Sequence, residues 1–209
     1  MAGLWKHLKQ ADYAVSAWSG GVTTQLAIAP EGARYADRSF LWRVSSATVE
    51  LEESDFTPLP DYRRLIATLE GEIELCHRGG APLRLRPYEV HAFDGADDTH
   101  AFGRCRDFNL MLRKGEADGE MEVLPLQVGC RELAAETRGG ERLLFCIRGC
   151  CRVEGGGDAA CLQPGESLLT EGGRALRLVP VDDDVLLIRC WMRRRGESGN
   201  RLDFIRKMR

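Results

Sequence analysis

No apolar run in the 209-residue chain approaches the roughly 20 residues that a bilayer-spanning helix needs. Residues Met1 to Asp12 contain Trp5, Lys6, His7 and Lys9, with no long apolar stretch or cleavage site, and read as the start of a mature cytoplasmic protein. Aromatic residues are sparse, at 7%, too few for base-stacking platforms to dominate. Neither sign of charge is in excess: the net charge is −3 and the pI near 5.9. No global attraction to nucleic acid or to an anionic membrane is expected. Histidine is scarce, with only His7, His77, His91 and His100, and no His-x-His pair among them. The eight cysteines contain no CxxC pair. Most lie in apolar runs such as Leu143–Ile147 and read as small buried thiols of a reduced compartment. Cys150-Cys151 is a vicinal pair that oxidation could reach, or simply two hairpin positions on opposite faces. There is no Gly-x-Ser-x-Gly elbow, and Gly155-Gly-Gly157 lacks the Lys-Ser/Thr of a phosphate loop.

What is present is alternation. Along Leu41–Leu51 one strand face carries Leu41, Arg43, Ser45, Ala47, Val49 and Leu51. An arginine on a core-facing strand requires a compensating group, from the protein or from a ligand. Arg63, Leu65, Ala67 and Leu69 share a face of another strand; Asp107, Asn109 and Met111 share a face opposite the apolar Phe108, Leu110 and Leu112. Many short strands separated by Gly and Pro turns indicate an all-β chain, a sandwich or barrel. Only Glu132–Thr137 has a helical look, and Gly115–Glu120 reads as a connection between halves.

An internal repeat refines this reading. Leu65–Gly71 matches Leu143–Gly149, and Pro87-Tyr-Glu89 and Pro164-Gly-Glu166 follow at nearly the same separation. Gly157-Asp158…Leu162-Gln-Pro164-Gly165-Glu166 resembles the second-half signature of a cupin barrel. The expected fold is therefore a bicupin: two tandem double-stranded β-helix (jelly-roll) barrels with few short helices. The first unit covers residues 1–120 and contains the pocket; the second, degenerate unit covers 121–209, with strands free to cross between them.

A metal cupin supplies paired histidines, a glutamate and a later histidine. Here only His91 and His100, in a stretch with Glu89, Asp94, Asp97 and Asp98, come near that pattern. No metal and no cofactor are expected. If the polar strand faces line one barrel, they place Arg, Ser, Asp and Asn in an otherwise apolar cavity, the composition of a small-molecule pocket. A guanidinium fork suits a carboxylate ligand. The alternative is an internal Arg43–Asp107 ion pair, with Arg63 exposed at a strand start. The basic run Arg193–Arg195, with Arg201, Arg206, Lys207 and Arg209, reads as a solvated tail, part of which Leu202, Phe204 and Ile205 could dock.

The chain resembles the HutD/Ves family of bicupins. The resemblance rests on Trp18-Ser-Gly-Gly-Val-Thr23, Trp42-Arg-Val-Ser-Ser-Ala47, Phe56-Thr-Pro-Leu-Pro-Asp-Tyr-Arg63, Leu69-Glu-Gly71, Phe93-Asp-Gly95 and Asp107-Phe-Asn-Leu-Met111, in order. The family's Asp-Gly-Pro-Phe-Ser turn is replaced by Glu53-Ser-Asp-Phe-Thr57. The resemblance implies a bacterial protein linked with histidine utilisation and a formylated glutamate-type ligand; other members are named for cold or stress induction. It places ligand contacts on Trp18, Thr23, Arg43, Ser45, Arg63, Asp107 and Asn109. Three readings stand: a sensor or modulator that binds a small carboxylate metabolite, an isomerase or hydrolase using Asp107 as acid or base, and an oligomeric scaffold with an empty barrel. The expected partners are that metabolite and a second copy of the chain, with neither nucleic acid nor membrane.

Overall fold

The computed structural model describes residues 3–127 and 129–196. The tail residues Arg201 to Arg209 lie outside the described residues, so the basic-tail expectation applies there only to Arg193–Arg195. The strands in chain order begin with β1 (Trp5–Leu8), β2 (Ala14–Trp18), β3 (Gly21–Ala29), β4 (Trp42–Val49) and β5 (Glu53–Asp55). Next come β6 (Tyr62–Glu70), β7 (Ile73–His77), β8 (Leu83–Leu85), β9 (His91–Asp94), β10 (Thr99–Phe102) and β11 (Cys105–Arg113). The second half holds β12 (Ala117–Leu126), β13 (Arg131–Leu133), β14 (Glu141–Arg148) and β15 (Cys151–Gly155), then β16 (Asp158–Leu162), β17 (Ser167–Glu171), β18 (Leu176–Pro180) and β19 (Val185–Arg194). The helical content among the described residues is two 3-10 turns, Gln10–Asp12 and Tyr35–Asp37.

The chain forms two compact units, Leu8–Val123 and Met1–His7 with Leu124–Arg209. The N-terminal unit has a six-stranded sheet in the order β2-β3-β4-β11-β6-β9 and a four-stranded sheet in the order β5-β10-β7-β8. In the second half the orders are β12-β19-β14-β17-β1 and β13-β18-β15-β16. Strand for strand, β4-β11-β6-β9 corresponds to β12-β19-β14-β17, and β5-β10-β7-β8 to β13-β18-β15-β16. Each set is a jelly roll, so the chain is an all-β bicupin.

The repeated glycines explain why the copies share this path. Gly71 and Gly149 both adopt positive φ, 75° and 69°. A Cβ there would meet the Arg104 carbonyl at 2.4 Å and the Asp184 carbonyl at 2.5 Å. Only glycine allows so tight a turn against a neighbouring backbone, and it delivers β6 into β7 and β14 into β15 alike.

Two local expectations are corrected. Arg131–Leu133 is a strand paired to β18, not a helix start, because Leu133 enters the apolar core while Glu132 pairs across to Arg177. Gly115–Glu120 is not a free connector: β12 begins at Ala117 and runs on to Leu126.

Both interiors bury apolar clusters. The C-terminal unit buries an apolar cluster that includes Leu124, Leu144, Val153, Leu168, Leu178 and Leu187. Each fully buried side chain of this size contributes about 1.5–3 kcal/mol before conformational entropy is charged against it. The N-terminal unit holds a cluster around Ile66, Leu75, Leu85 and Phe93 and another around Phe40, Leu59, Tyr62 and Met111. A polar cavity borders both.

Candidate functional site

Antiparallel register sets side chains from successive strands next to one another, and three such rows cross the six-stranded sheet of the N-terminal unit. Ser16, Thr23, Ala47 and Asp107 form one row. Gln25, Ser45, Asn109 and Ile66 form the next. The third holds Ile28, Arg43, Met111, Arg64 and Phe93. Arg43 and Arg64 thus stand on the two strands flanking β11, both opposite Met111, about 10 Å apart along the sheet by strand spacing.

A cavity of about 260 Å³ opens over these rows. Arg43, Ser45, Ala47 and Val49 line it from β4, Asp107, Asn109 and Met111 from β11, and Arg64 from β6. Ser16, Trp18 and Thr23 come from the sheet edge, Tyr35 from the second 3-10 turn, and Ser54–Thr57 from β5 and the residues after it.

Arg43 is buried, and its partners are neutral. Nε donates to Gln25 Oε1 at 2.8 Å and a terminal nitrogen to Ser45 Oγ at 3.1 Å. Its guanidinium lies over the Tyr35 ring, 4.5 Å from the centroid. Burial lowers its pKa. The internal Arg43–Asp107 pair considered from sequence does not form; Asp107 Oδ1 instead accepts the Ala47 backbone N–H at 3.0 Å. Burial pushes the Asp107 carboxyl up to about 6, against the opposing pull of that N–H and of both arginines.

Arg64 is the most unusual group. It is 7% exposed and has no hydrogen-bond or ion-pair partner among the described residues; its Nε is fully buried and unsatisfied. Its guanidinium sits between aromatic faces, 4.9 Å from the Phe56 centroid and 5.0 Å from that of Phe93. Burial pulls its pKa down to about 10, so it is cationic at neutral pH. Cation–π contacts recover about 0.5–2 kcal/mol each, well short of the cost of holding an unpaired charge out of water. Asn109 Oδ1, also buried, has no partner either.

Of the residues expected from sequence, Trp18, Thr23, Arg43, Ser45, Asp107 and Asn109 line this one cavity. Arg63 does not. It is exposed, and its neighbour Arg64 takes the inward place. Past Arg63 both faces of β6 are buried, so alternation alone does not tell which face is inside the barrel. Register decides: Asn109 pairs with Ile66, which puts Arg64, two residues away, on the Asn109 face. Gln25, Tyr35 and Phe56 were also missed. A signal for Arg64 was present in the repeat, since an arginine precedes the matched segment in both copies, Arg64 before Leu65 and Arg142 before Leu143.

His91 and His100 do not converge. His91 Nε2 lies 3.0 Å from His77 Nε2, and His100 Nδ1 meets Asp55 at 2.6 Å. Among the described residues no three His, Cys, Asp or Glu side chains cluster as metal ligands. In the cavity itself two guanidiniums would repel a cation, so its donor set does not fit the metal that many cupins hold. The vicinal cysteines separate in environment: Cys150 Sγ lies 2.8 Å from Cys161 Sγ, across the hairpin. No helix among the described residues is long and apolar enough to cross a membrane.

Fold and site together define a bicupin whose N-terminal barrel holds an arginine-lined cavity. The chain belongs to the HutD family, whose model, described as HutD, matches residues 10–187. Among solved structures it is similar to the conserved protein of unknown function PA5104 from Pseudomonas aeruginosa PAO1, at 24% identity and a TM-score of 0.77, covering 90% of this chain and 98% of that one. HutD from Pseudomonas fluorescens SBW25 aligns at 21% identity and a TM-score of 0.72, over 92% and 100% of the two chains. The bacterial pirin YhhW from Escherichia coli, solved in complex with nickel(II), shares the fold at 10% identity and a TM-score of 0.65, over 90% and 99%. No curated protein matches significantly.

Proposed function

We propose that the N-terminal barrel binds a small carboxylate metabolite and that the protein acts as a sensor or modulator in histidine utilisation, with a formylglutamate-like compound as the ligand class. The observation that carries this reading is Arg64: a buried guanidinium that no group among the described residues pairs, facing a cavity of metabolite size. A carboxylate would take that charge in a two-point contact. Arg43 would supply a second cationic contact, and Ser45 and Asn109 directional hydrogen bonds. Trp18, 39% exposed, would cover the mouth beside Thr23. Arg43 and Arg64 outnumber the one buried carboxylate of the lining, Asp107, while the exposed Asp55 is taken by His100, and that balance favours an anion further.

The test is a thermal-shift screen of acyl-glutamates, histidine-pathway intermediates and simple dicarboxylates. Saturating ligand should raise Tm in the wild type and leave Arg64→Ala unmoved. Stabilisation that persists undiminished in Arg64→Ala overturns this reading.

A second reading is favoured by one observation, the Asp107 carboxyl held at about 6 inside the cavity. A group poised near the working pH suits general acid–base chemistry, so an isomerase or hydrolase acting on the same ligand class would use Asp107. Turnover of a screened compound that vanishes in Asp107→Asn, with binding retained, would select it.

A further inference from the structure

The C-terminal unit carries the counterpart of Arg64, and there the charge is already answered. In the repeat Arg142 stands where Arg64 does, one residue before the matched segment. Register extends the match: Arg142 pairs with Trp191 and Leu144 with Arg189, as Arg64 pairs with Met111 and Ile66 with Asn109. Arg189 therefore occupies the Asn109 position, and the second unit presents two arginines on the face where the first presents Arg64 and an amide.

Between them lies Glu136. Its Oε1 accepts a short hydrogen bond from Arg189 and lies 3.8 Å from an Arg142 nitrogen. Its Oε2 is 3.8 Å from Arg138. The segment carrying Glu136 is fixed over the face: its own N–H donates to the Gly172 carbonyl at 2.8 Å, and the Trp191 indole N–H donates to the Gly139 carbonyl at 2.8 Å. Arg142 also donates to the Ala134 carbonyl at 2.7 Å and to the Arg174 carbonyl at 2.9 Å.

We propose that Glu136 is a tethered carboxylate ligand: it holds in the C-terminal barrel the place that a free carboxylate takes on Arg64 in the N-terminal one, and its removal opens a second small-carboxylate site on Arg142 and Arg189. The correspondence rests on the reading of the Arg64 cavity as a carboxylate site. The opened site itself rests only on the Glu136 contacts. The degenerate barrel has thus kept the anion-binding face and supplied the anion from its own chain.

Glu136→Ala deletes a CH₂–COO⁻ group, which acetate replaces in composition and charge. The variant should melt on the order of 5–10 °C below wild type, and acetate should restore most of that loss. Chloride at equal ionic strength, or neutral acetamide, should not. Acetate rescue should survive in the Arg64→Ala background, because the opened site lies in the other barrel. This separates the two ideas: loss of Arg64-dependent stabilisation in the wild type sinks the N-terminal reading alone, and absence of Arg64-independent rescue sinks the Glu136 proposal alone. A variant as stable as wild type, or rescued equally by acetamide, also overturns the proposal. Where Glu136→Ala does not fold with or without acetate, Glu136→Gln decides. It keeps the volume without the charge and should melt below wild type with no response to acetate beyond the wild type's own; wild-type stability there refutes the idea.

Discussion

The two barrels of this chain follow one strand order and place an arginine at the same point of it, yet they treat that arginine in opposite ways. Arg142 is held by carbonyls and by the Glu136 carboxylate. Arg64 sits over two aromatic rings with no polar partner among the described residues, beside an open cavity. One scaffold therefore accommodates a guanidinium either as part of the core or as a group awaiting an outside partner. One difference lies in the segment after the corresponding strand: in the second barrel the residues after β13 bring Glu136 in, and in the first the residues after β5 bring Phe56. A carboxylate closes a site; a ring beside the cation leaves its hydrogen-bonding capacity unused.

The sharpest way to break this comparison is to remove each arginine from the unliganded protein. Arg142→Ala should cost about 3–5 kcal/mol, since it frees the carbonyls of Ala134, Gly172 and Arg174 and takes one of the guanidiniums from Glu136. Arg64→Met should keep or gain stability, by roughly 1–3 kcal/mol, because an unpaired buried charge disappears. Denaturant unfolding of both variants measures this, and equal losses would mean that Arg64 is as well satisfied as Arg142.

A smaller effect follows from Asp107, which has no carboxylate counterpart on the matching face of the second barrel. Its folded-state pKa, about 6, lies above the roughly 3.9 of an unfolded aspartate. Between those values the folded state binds the extra proton, so stability is highest below the lower one and falls as pH rises through the window, by on the order of 2–3 kcal/mol. Carboxylate affinity should move in the same sense, strengthening as pH drops from 8 through 6 because a competing negative charge is neutralised. Asp107→Asn should flatten both profiles. An unchanged pH slope in the variant would assign the titration elsewhere.

The smallest effect is the control that separates neighbours. Arg63→Ala should leave Tm and any ligand-induced shift as in the wild type, because Arg63 is exposed and outside the cavity. A lost ligand shift in Arg63→Ala would restore Arg63 to the site in place of Arg64.

Much of the molecule could be read before folding was considered. Strict alternation through Leu41–Leu51 and Asp107–Leu112, with Gly and Pro turns recurring at matched spacing, dictates strands and a duplicated jelly roll, because these are local properties of the chain. The same alternation marks Arg43, Ser45, Asp107 and Asn109 as polar side chains on otherwise apolar faces, and those four meet in the cavity. Alternation sorts side chains into two faces but does not say which is inner; that depends on pairing with strands far along the chain and on closure of the barrel. So Arg64 rather than Arg63 faces the cavity only because β6 meets β11 in one particular register. The partners of each arginine are likewise non-local: Gln25 reaches Arg43 from a strand 18 residues earlier, and Glu136 reaches Arg189 across 53. The amino-acid order determined that buried guanidiniums would exist; only the tertiary structure decided which one is answered from within.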